Sequence, residues 1–406
     1  MQTNKTKLLD KQQKLVYPLK KELKKMRHMK QKGLDTSSIK VKNRQTLYKF
    51  IHSNDGVSRQ DIARELRLSL PTVISNIEYL QENNLIDFSD EMQSTGGRKA
   101  STYVIKKRTR MAVGLYLTKH HIHAVTVDLA GNVVNSQEKE ILFNLDDDAY
   151  LQELAASVEY VRAKSNIKKE ELLGVGIALP GILSEDNETV LIGESMNFTG
   201  KTKDQITKYI GYECRLIHDS YAAVFAETWK NFQTENAFYI GLNNYIGGAA
   251  VIRGQIYNGN NNHCGEIGHV KIATDAGKRC YCGKIGCFET VCAATVLSEL
   301  ADNDLDKFFL KVKAKEDAAV KAWNVYLSYL AKAIGLIRLL FDSTVIIGGY
   351  VGARIGDYME QLFELIDEEA FFGDKAANYV RQCKYTIEDA GAGAALLFID
   401  EFINNI

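Results

Sequence analysis

The chain has 406 residues but only 3 prolines, and it contains no run of 18 or more apolar residues. Without such a run no membrane-spanning helix is expected. The N-terminal segment is rich in lysine and lacks an apolar core, so it does not have the pattern of a secretory signal. We therefore expect a cytoplasmic protein whose seven cysteines are metal ligands or buried thiols rather than disulfides. Many glycines and few prolines favour compact α/β domains.

The net charge is zero, but the charge is divided unevenly along the chain. Residues 1–110 hold 24 lysines and arginines against 11 acidic residues, whereas the remainder holds 27 against 40. Such a division indicates that a segment that binds nucleic acid, or another anionic surface, is joined to a different kind of domain. Charge alone leaves a solvated basic tail as the alternative.

The N-terminal quarter of the chain has the pattern of a DNA-binding unit. Residues 1–42 form a basic arm, with 13 basic residues against 3 acidic ones. Residues 43–106 then carry three helix signals and two short strands. Ser58 and Asp61 form a capping box before the second helix, and Ser69 can cap a third helix that has a proline in its first turn. Three helices followed by a β-hairpin are typical of a winged helix-turn-helix.

The third helix is predicted to read double-stranded DNA, because its exposed face carries slim hydrogen-bonding side chains that fit the major groove: Ser69, Thr72, Ser75 and Asn76. The wing offers Arg98 and Lys99 to phosphates or the minor groove. Three further arginines can neutralise phosphates: Arg59, Arg64 and Arg67. One winged helix reads only a few base pairs, so we expect a homodimer or homotetramer on the DNA operator. A winged helix used for protein contacts is the alternative.

Residues 110–406 alternate strand and helix patterns, which favours a two-lobed α/β fold with a cleft between the lobes. The first lobe is predicted to span residues 110–230, completed by a C-terminal helix at about 390–406. The second lobe is predicted to span residues 231–389.

One cluster in the second lobe has the spacing of a metal site. The segment GHVKIATDAGKRCYCGKIGCFE supplies four ligands: His269, Cys280, Cys282 and Cys287. Three thiolates and one imidazole complete the tetrahedral shell of structural Zn²⁺. The spacing disfavours the alternative, which is four buried reduced side chains.

Carboxylates flank this cluster. Glu266 lies one helical turn before His269, and Glu289 lies two residues after Cys287, so the metal loop would bring both to one place. Asp219 ends a strand, where open α/β sheets place ligand groups. Several carboxylates that accept hydrogen bonds from hydroxyls suit a sugar, although each taken singly is typical of a surface or capping position.

Five motifs together resemble the ROK family of repressors, open-reading-frame proteins and sugar kinases: GEIGH, CYCGKIGCFE, IHDSYAA, LPGIL and VIIGGYVG. The preceding segment is similar to the DNA-binding domain of its repressor branch, the xylose and N-acetylglucosamine repressors, through KNRQTLYKFI, SRQDIARELRLSLPTVISNIEYL and GGRKA. The resemblance covers roughly residues 40–406. It implies a winged helix-turn-helix followed by a two-lobed, actin/hexokinase-like ROK domain.

The resemblance also assigns roles to single residues. It implies that the four metal ligands hold zinc, and that sugar contacts fall on Asn197, Glu266, His269 and Glu289. It places the catalytic base of the kinases on Asp219. His218 stands where the family has the asparagine of an Asn-Asp pair, and so occupies a sugar-contact position.

Both phosphate loops of the ROK kinases depart from the family pattern. The Asp-x-Gly-Gly-Thr loop falls on residues 116–120, which read YLTKH, and the Gly-Thr-Gly loop falls on residues 243–245, which read NNY. Phosphoryl transfer depends mainly on positioning the phosphates and stabilising their charge. Asp219 is therefore interpreted as a vestigial base, and no enzymatic activity is expected.

The sequence thus predicts a sugar-responsive transcriptional regulator, a repressor of carbohydrate-use genes, with DNA and a sugar or sugar derivative as partners. One alternative is a ROK sugar kinase with an appended DNA-binding domain. The other is a scaffold whose pocket is vestigial.

Overall fold

A computed structural model of the protein describes residues 36–54, 56–89, 102–229, 236–273, 278–370, 373–385 and 389–406. Most of the basic arm lies outside the described residues, as do Arg98 and Lys99 of the predicted wing.

The N-terminal unit contains three helices and a small antiparallel sheet. The helices are α1 (Thr36–His52), α2 (Arg59–Leu66) and α3 (Leu70–Glu82). The strands, in sheet order β1-β3-β2, are β1 (Val57–Ser58), β2 (Ile86–Phe88) and β3 (Thr102–Ile105). The predicted capping box is present, because the Ser58 hydroxyl accepts from the Asp61 N–H while the Asp61 carboxylate accepts from the Ser58 N–H. The Ser69 hydroxyl likewise accepts from the Thr72 N–H.

The first lobe is built on a five-stranded sheet of order β10-β7-β4-β5-β6. Its strands are β4 (Met111–Leu117), β5 (His121–Asp128), β6 (Val133–Glu140), β7 (Leu172–Leu179) and β10 (Cys214–His218). The strands β4, β7 and β10 are parallel, whereas β5 pairs antiparallel with β4 and β6 pairs antiparallel with β5. A short hairpin of β8 (Ile182–Leu183) and β9 (Val190–Ile192) stands beside the sheet.

Helices cover both faces of this sheet. These helices are α4 (Asp148–Lys164), the short α5 (Lys203–Ile206), α6 (Asp219–Trp229) and the C-terminal α13 (Asp389–Asn405). The glycines of α13 allow its backbone to pack closely against β4 and α6. A Cβ atom on Gly114 of β4 would lie 1.8 Å from the Gly391 carbonyl oxygen, and a Cβ atom on Gly393 would lie 1.7 Å from that of Ala222 in α6.

The second lobe holds a sheet of order β13-β12-β11-β14-β15. Its strands are β11 (Ala237–Leu242), β12 (Ile246–Ile252), β13 (Gln255–Tyr257), β14 (Thr344–Gly348) and β15 (Val380–Gln382). Its helices are α7 (Phe288–Cys292), α8 (Ala294–Ser298), α9 (Leu305–Lys313), α10 (Asp317–Phe341), α11 (Gly349–Gly352) and α12 (Met359–Glu368). Short 3₁₀ turns, among them Ile267–His269, connect these elements.

The long helix α10 is the one helix among the described residues that could cross a membrane by length and composition alone. Its inner face packs into the core of the second lobe, where Trp323, Leu327 and Ile334 are at most 1% exposed. This packing is that of a core helix, since the apolar stripe meets protein along much of its length.

The N-terminal unit packs directly on the first lobe. Helix α1 shares one apolar cluster with α13, in which Leu47 and Ile51 lie with Ile399 and Ile403. The Lys49 ammonium donates to Asn404 Oδ1 at 2.8 Å. The end of α1 is therefore held against the sheet and against the C-terminal helix.

Candidate functional site

A cavity of about 410 Å³ opens between the two lobes. Five of the six predicted sugar-binding residues line it: His218, Asp219, Glu266, His269 and Glu289. Asn197 does not, since its side chain is exposed in a turn where its φ is 57°. The structure thus gathers residues from β10, α6 and the metal loop at one place, and leaves Asn197 outside the lining.

Asp219 is the first residue of α6 and follows directly on β10. Its carboxylate accepts from the backbone N–H of Ser220 at 2.6 Å and from the Ser220 hydroxyl at 3.2 Å. A helix N-terminus favours a negative charge at this position. The Asp219 carboxyl group lines the cavity and can accept hydrogen bonds from a ligand there.

His218 fills the space between two of the cavity carboxylates. Its Nδ1 lies 3.3 Å from Asp219 Oδ1, and its Nε2 lies 4.0 Å from Glu266 Oε1. The ring packs against Tyr221 with a centroid separation of 4.9 Å. The His218 Nδ1 accepts from the Ser220 N–H at 3.2 Å, so Nε2 is the nitrogen left to contact a hydroxyl.

Glu289 is the most buried carboxylate of the cavity, at 8% exposure. One of its oxygens accepts from the backbone N–H of Ile246 at 3.1 Å. Burial raises the pKa of Glu289 to about 7, against the opposing effect of that hydrogen bond. The Glu289 side chain therefore fastens the start of β12 to the metal loop and presents its other oxygen toward the cluster.

Several cavity residues were missed by the sequence analysis, among them Glu194, Ser195, His263 and Tyr245. No local pattern marks them, because they come from loops that meet only in the fold. Tyr281 lies inside the CYC motif and could have been found there. Its hydroxyl lies 2.9 Å from His269 Nε2, and its ring meets that imidazole edge-on at 4.9 Å.

The four predicted metal ligands converge. The ligand atoms of His269, Cys280, Cys282 and Cys287 all lie within 4.8 Å of one another. The Cys282 and Cys287 sulfurs are 3.6 Å apart, and Cys280 Sγ lies 3.5 Å from His269 Nδ1. A tetrahedral Zn²⁺ with bonds of about 2.3 Å to sulfur and about 2.0 Å to nitrogen separates such atoms by about 3.5–3.8 Å. The donor set therefore fits this ion.

The metal loop is folded by backbone contacts as well. Gly286 has a φ of +84°, and a Cβ atom there would lie 1.7 Å from the Ala273 carbonyl oxygen. The Phe288 N–H donates to the Val270 carbonyl at 2.8 Å. These contacts place His269 between the metal cluster, which its Nδ1 faces, and the cavity, which its Nε2 faces.

The two segments that match the kinase phosphate loops make hydrogen bonds and ring contacts of their own. In the β4–β5 turn, the Thr118 hydroxyl accepts from the His121 N–H at 3.0 Å, and Tyr116 stacks on His123 at 5.8 Å. In the β11–β12 turn, Asn243 Oδ1 accepts from the Tyr350 N–H at 3.0 Å. The backbone N–H at the start of α11 is therefore bonded to protein rather than free for an anion.

The predicted DNA-reading face of α3 needs one correction. Ser69 and Ser75 are exposed and Thr72 is half-buried, but Asn76 is only 8% exposed. The Asn76 amide donates to the Thr72 carbonyl at 2.7 Å. The expectation that Asn76 faces base edges is wrong, because its side chain lies on the buried face of the helix and its amide is hydrogen-bonded to the helix backbone.

The three predicted phosphate-binding arginines differ in what they contact. Arg67 is exposed in a left-handed conformation at the end of α2. Arg59 is exposed, and its Nε donates to the Tyr103 hydroxyl at 2.7 Å. Arg64 pairs with the carboxylates of Asp61 and Glu65. Arg59 and Arg67 are therefore better placed than Arg64 to meet a phosphate.

Comparison with proteins of known sequence finds relatives that are repressors. The chain is 25% identical over 227 residues to the xylose repressor of Bacillus subtilis strain 168, covering 55% of this chain and 58% of that one. It is 26% identical over 149 residues to the transcriptional dual regulator NagC of Escherichia coli K12, covering 37% and 36%. These matches span less than two thirds of the relatives' own length.

Solved structures share the fold of this chain. A ROK family transcriptional regulator, a homolog of the E. coli MLC protein, has a TM-score of 0.68 at 20% identity and covers 90% of this chain and 97% of its own. A ROK family glucokinase from Streptomyces griseus, in complex with glucose and AMPPNP, has a TM-score of 0.59 at 20% identity and covers 71% and 98%. The predicted α/β fold of the ROK type is thereby confirmed.

The family assignment rests on the larger part of the chain. The ROK family model matches residues 112–401, which include both sheets, the cavity residues and the cysteine cluster. The chain therefore belongs to the ROK family.

Proposed function

We propose that this protein is a sugar-responsive, DNA-binding transcriptional repressor of carbohydrate-use genes, without sugar kinase activity. One observation carries the proposal. The cavity gathers a set of groups suited to hydroxyls, whereas both segments that match phosphate loops contain no glycine, and Asn243 accepts the Tyr350 N–H. The named relatives, which are a xylose repressor and NagC, agree with it.

Sugar recognition would come from carboxyl groups, imidazoles and aromatic rings. Asp219, Glu266 and Glu289 can accept from neighbouring hydroxyls, and His218 and His269 can donate or accept. The rings of Tyr245 and Tyr281, 6.1 Å apart and edge-on to each other, border the same cavity. Such rings can cover the C–H face of a sugar, so the pocket suits a small polyhydroxylated ligand.

Zinc would have a structural role in this proposal. Held by the Cys₃His set, the ion has no open position and supplies only folding energy to the loop. That loop carries His269 and Glu289 into the cavity. The ligand response therefore depends on a metal that need not touch the ligand.

DNA recognition would come from residues 43–106 acting as a winged helix-turn-helix, ahead of lobes at 110–230 with 390–406 and at 231–389. Support comes from the three helices, the sheet of β1, β3 and β2, and the exposed Ser69 and Ser75 on α3. A homodimer or homotetramer would present two such units to a pseudo-palindromic site. Light scattering on the free protein and on its DNA complex measures the assembly, and a monomer in both would contradict it.

A single helix would couple the cavity to the DNA-binding unit. Helix α6 begins with Asp219 in the cavity and ends about 16 Å away, at Trp229. The Trp229 indole donates to Asp400 of α13 at 3.0 Å, and its ring meets the imidazole of His52 in α1 at 5.4 Å. His52 Nε2 in turn lies 2.8 Å from the Leu129 carbonyl oxygen. A ligand that shifts α6 would therefore move contacts of α1 directly.

The test begins with the DNA. Fragments of genomic DNA from the source organism are selected on the full-length protein, and the selected fragment is then titrated in the presence of hexoses, pentoses or N-acetylhexosamines. We expect one sugar class to weaken binding to the selected DNA at least about tenfold, a typical coupling between sites.

A matched pair of variants locates the effect. Glu266→Gln removes a charged acceptor from the cavity and should lose the sugar response, whereas Glu185→Gln, at an exposed position outside the cavity lining, should keep it. If no fragment is selected, or if no sugar changes the affinity of the wild-type protein for DNA, the proposed function is wrong.

A further inference from the structure

A second group of metal-binding side chains lies in the first lobe, away from the cysteine cluster. His121 and His123 are separated by one residue on β5, so both side chains point to the same face of the sheet. Glu138 on β6 pairs directly opposite His123. Side chains of directly opposed residues also share a face, so the strand register brings two imidazoles and one carboxylate together.

The three side chains face one another at distances that are too long for hydrogen bonds. His121 Nε2 lies 3.5 Å from Glu138 Oε1, and His123 Nδ1 lies 3.7 Å from Glu138 Oε2. All three ligand atoms fall within 4.8 Å of one another. Ligands at about 2.0–2.2 Å from a tetrahedral Zn²⁺ are themselves separated by about 3.3–3.6 Å. The spacing therefore suits a shared cation better than direct bonding between the side chains.

His123 is held as a ligand would be. It is 6% exposed, and its ring stacks on Tyr116 with a centroid separation of 5.8 Å. Its Nδ1 faces Glu138 beyond hydrogen-bond distance, whereas its Nε2 is buried and has no hydrogen-bond partner among the described residues.

We propose that His121, His123 and Glu138 bind a divalent transition-metal ion, with Zn²⁺ as the best fit, at a site separate from the Cys₃His cluster. Two imidazoles and one carboxylate are a common ligand set of zinc sites that keep a fourth position open. The side chains of His121 and Glu138 are 33% and 54% exposed, so the open position faces solvent. The ion would exchange more readily than one enclosed by thiolates.

Such an ion would join β5 to β6, the edge strand of the first-lobe sheet. It would lie at the His121 end of β5, next to the turn that matches the first kinase phosphate loop. Because a ligand that binds only the folded state stabilises it, occupancy should raise the melting temperature. This proposal does not depend on the sugar response or on DNA binding.

The test uses the full-length protein, purified without a polyhistidine tag and retaining any zinc held by its cysteines. Added Co²⁺ should bind one further site, with the weak visible bands of nitrogen and oxygen ligands and without a thiolate charge-transfer band. Isothermal titration with Zn²⁺ should find the same additional site. His121 is partly exposed, so its replacement should not disturb the core. The variant His121→Gln should weaken the affinity for both Co²⁺ and Zn²⁺ at least about tenfold, because loss of even an outer-shell partner of a metal ligand has an effect of that size.

His120→Gln is the matched control, because His120 is an exposed histidine of the adjacent turn and lies outside the cluster. It should bind Co²⁺ as the wild type does. If circular dichroism shows that His121→Gln perturbs folding, Glu138→Gln on the edge strand is used instead. It should weaken the affinity for both ions in the same way. The proposal is overturned if the wild type binds no further ion, if the new bands carry thiolate charge transfer, or if both cluster variants bind like the control.

Discussion

The interlobe cavity and the two segments that match kinase phosphate loops differ in how they use the backbone. In the cavity, polar side chains from β10, α6 and the metal loop converge on about 410 Å³. In the second of those segments, a phosphate site would need free backbone N–H groups nearby, but the Tyr350 N–H donates to Asn243 Oδ1. Side-chain recognition can persist when glycine loops are replaced, whereas a phosphate cradle cannot. The proposed function thus separates binding from transfer within one cleft.

Loss of a metal ligand should have the largest effect, because the metal loop carries His269 and Glu289 into the cavity. Cys282→Ser removes one of four ligands, so we expect loss of zinc, a fall of about 4 kcal/mol or more in the free energy of unfolding, and no sugar response. Elemental analysis and denaturant titration measure the first two. Cys214→Ser, in the other lobe and outside the cluster, is the control. Zinc-free protein that still responds to sugar would contradict the assignment.

Substitution of Asp219 tests binding and phosphoryl transfer separately. Asp219→Asn should weaken sugar binding by about 1.5–3 kcal/mol, roughly ten- to hundredfold, because a charged acceptor is lost. Neither protein should consume ATP above background with hexoses, pentoses or N-acetylhexosamines in a coupled assay, in which a known hexokinase is the positive control. Robust turnover by the wild type that disappears in Asp219→Asn would establish the kinase alternative instead.

The parts of the site that could be predicted are those set by neighbours in sequence. The Ser58–Asp61 capping box and the Cys₃His cluster are local, so spacing was enough to find them. Asn76 shows the limit. It lies three residues after Val73 and four before Leu80, which places it beside the buried stripe of α3, and the amide is satisfied within the helix.

Long-range register explains what the sequence analysis missed. The cluster of His121, His123 and Glu138 depends on the pairing of β5 with β6, which includes an irregularity between Thr126 and Val127. A slip of one residue would turn Glu138 to the other face of the sheet. Such a register is fixed by packing over the whole lobe, so hairpin patterns alone did not reveal it.

The proposed coupling through α6 predicts a smaller effect that leaves the cavity unchanged. Trp229→Phe removes the hydrogen bond to Asp400 and replaces the indole that contacts His52 with a smaller ring. We expect sugar affinity to stay as in the wild type, and the sugar-induced change in DNA affinity to fall by about 1 kcal/mol, roughly fivefold. The control is Trp323→Phe, which changes the chain's other tryptophan, whose indole nitrogen has no hydrogen-bond partner among the described residues. Equal loss of response in both variants would exclude α6 as the route.

The smallest effects concern how the N-terminal unit divides its contacts with DNA. Ser75→Ala should weaken the selected fragment by about 1 kcal/mol, leave random DNA nearly unaffected and keep the salt dependence, because a hydroxyl at a base edge discriminates sequence. Arg67→Ala should weaken both DNAs and reduce the slope of log K against log salt by about 0.9, because a phosphate contact releases counterions. Asn76→Ala should change stability rather than sequence preference, since its amide bonds to Thr72. Titrations of the three variants on both DNAs at several salt concentrations measure these outcomes. If Ser75→Ala weakens both DNAs equally, α3 does not read the bases.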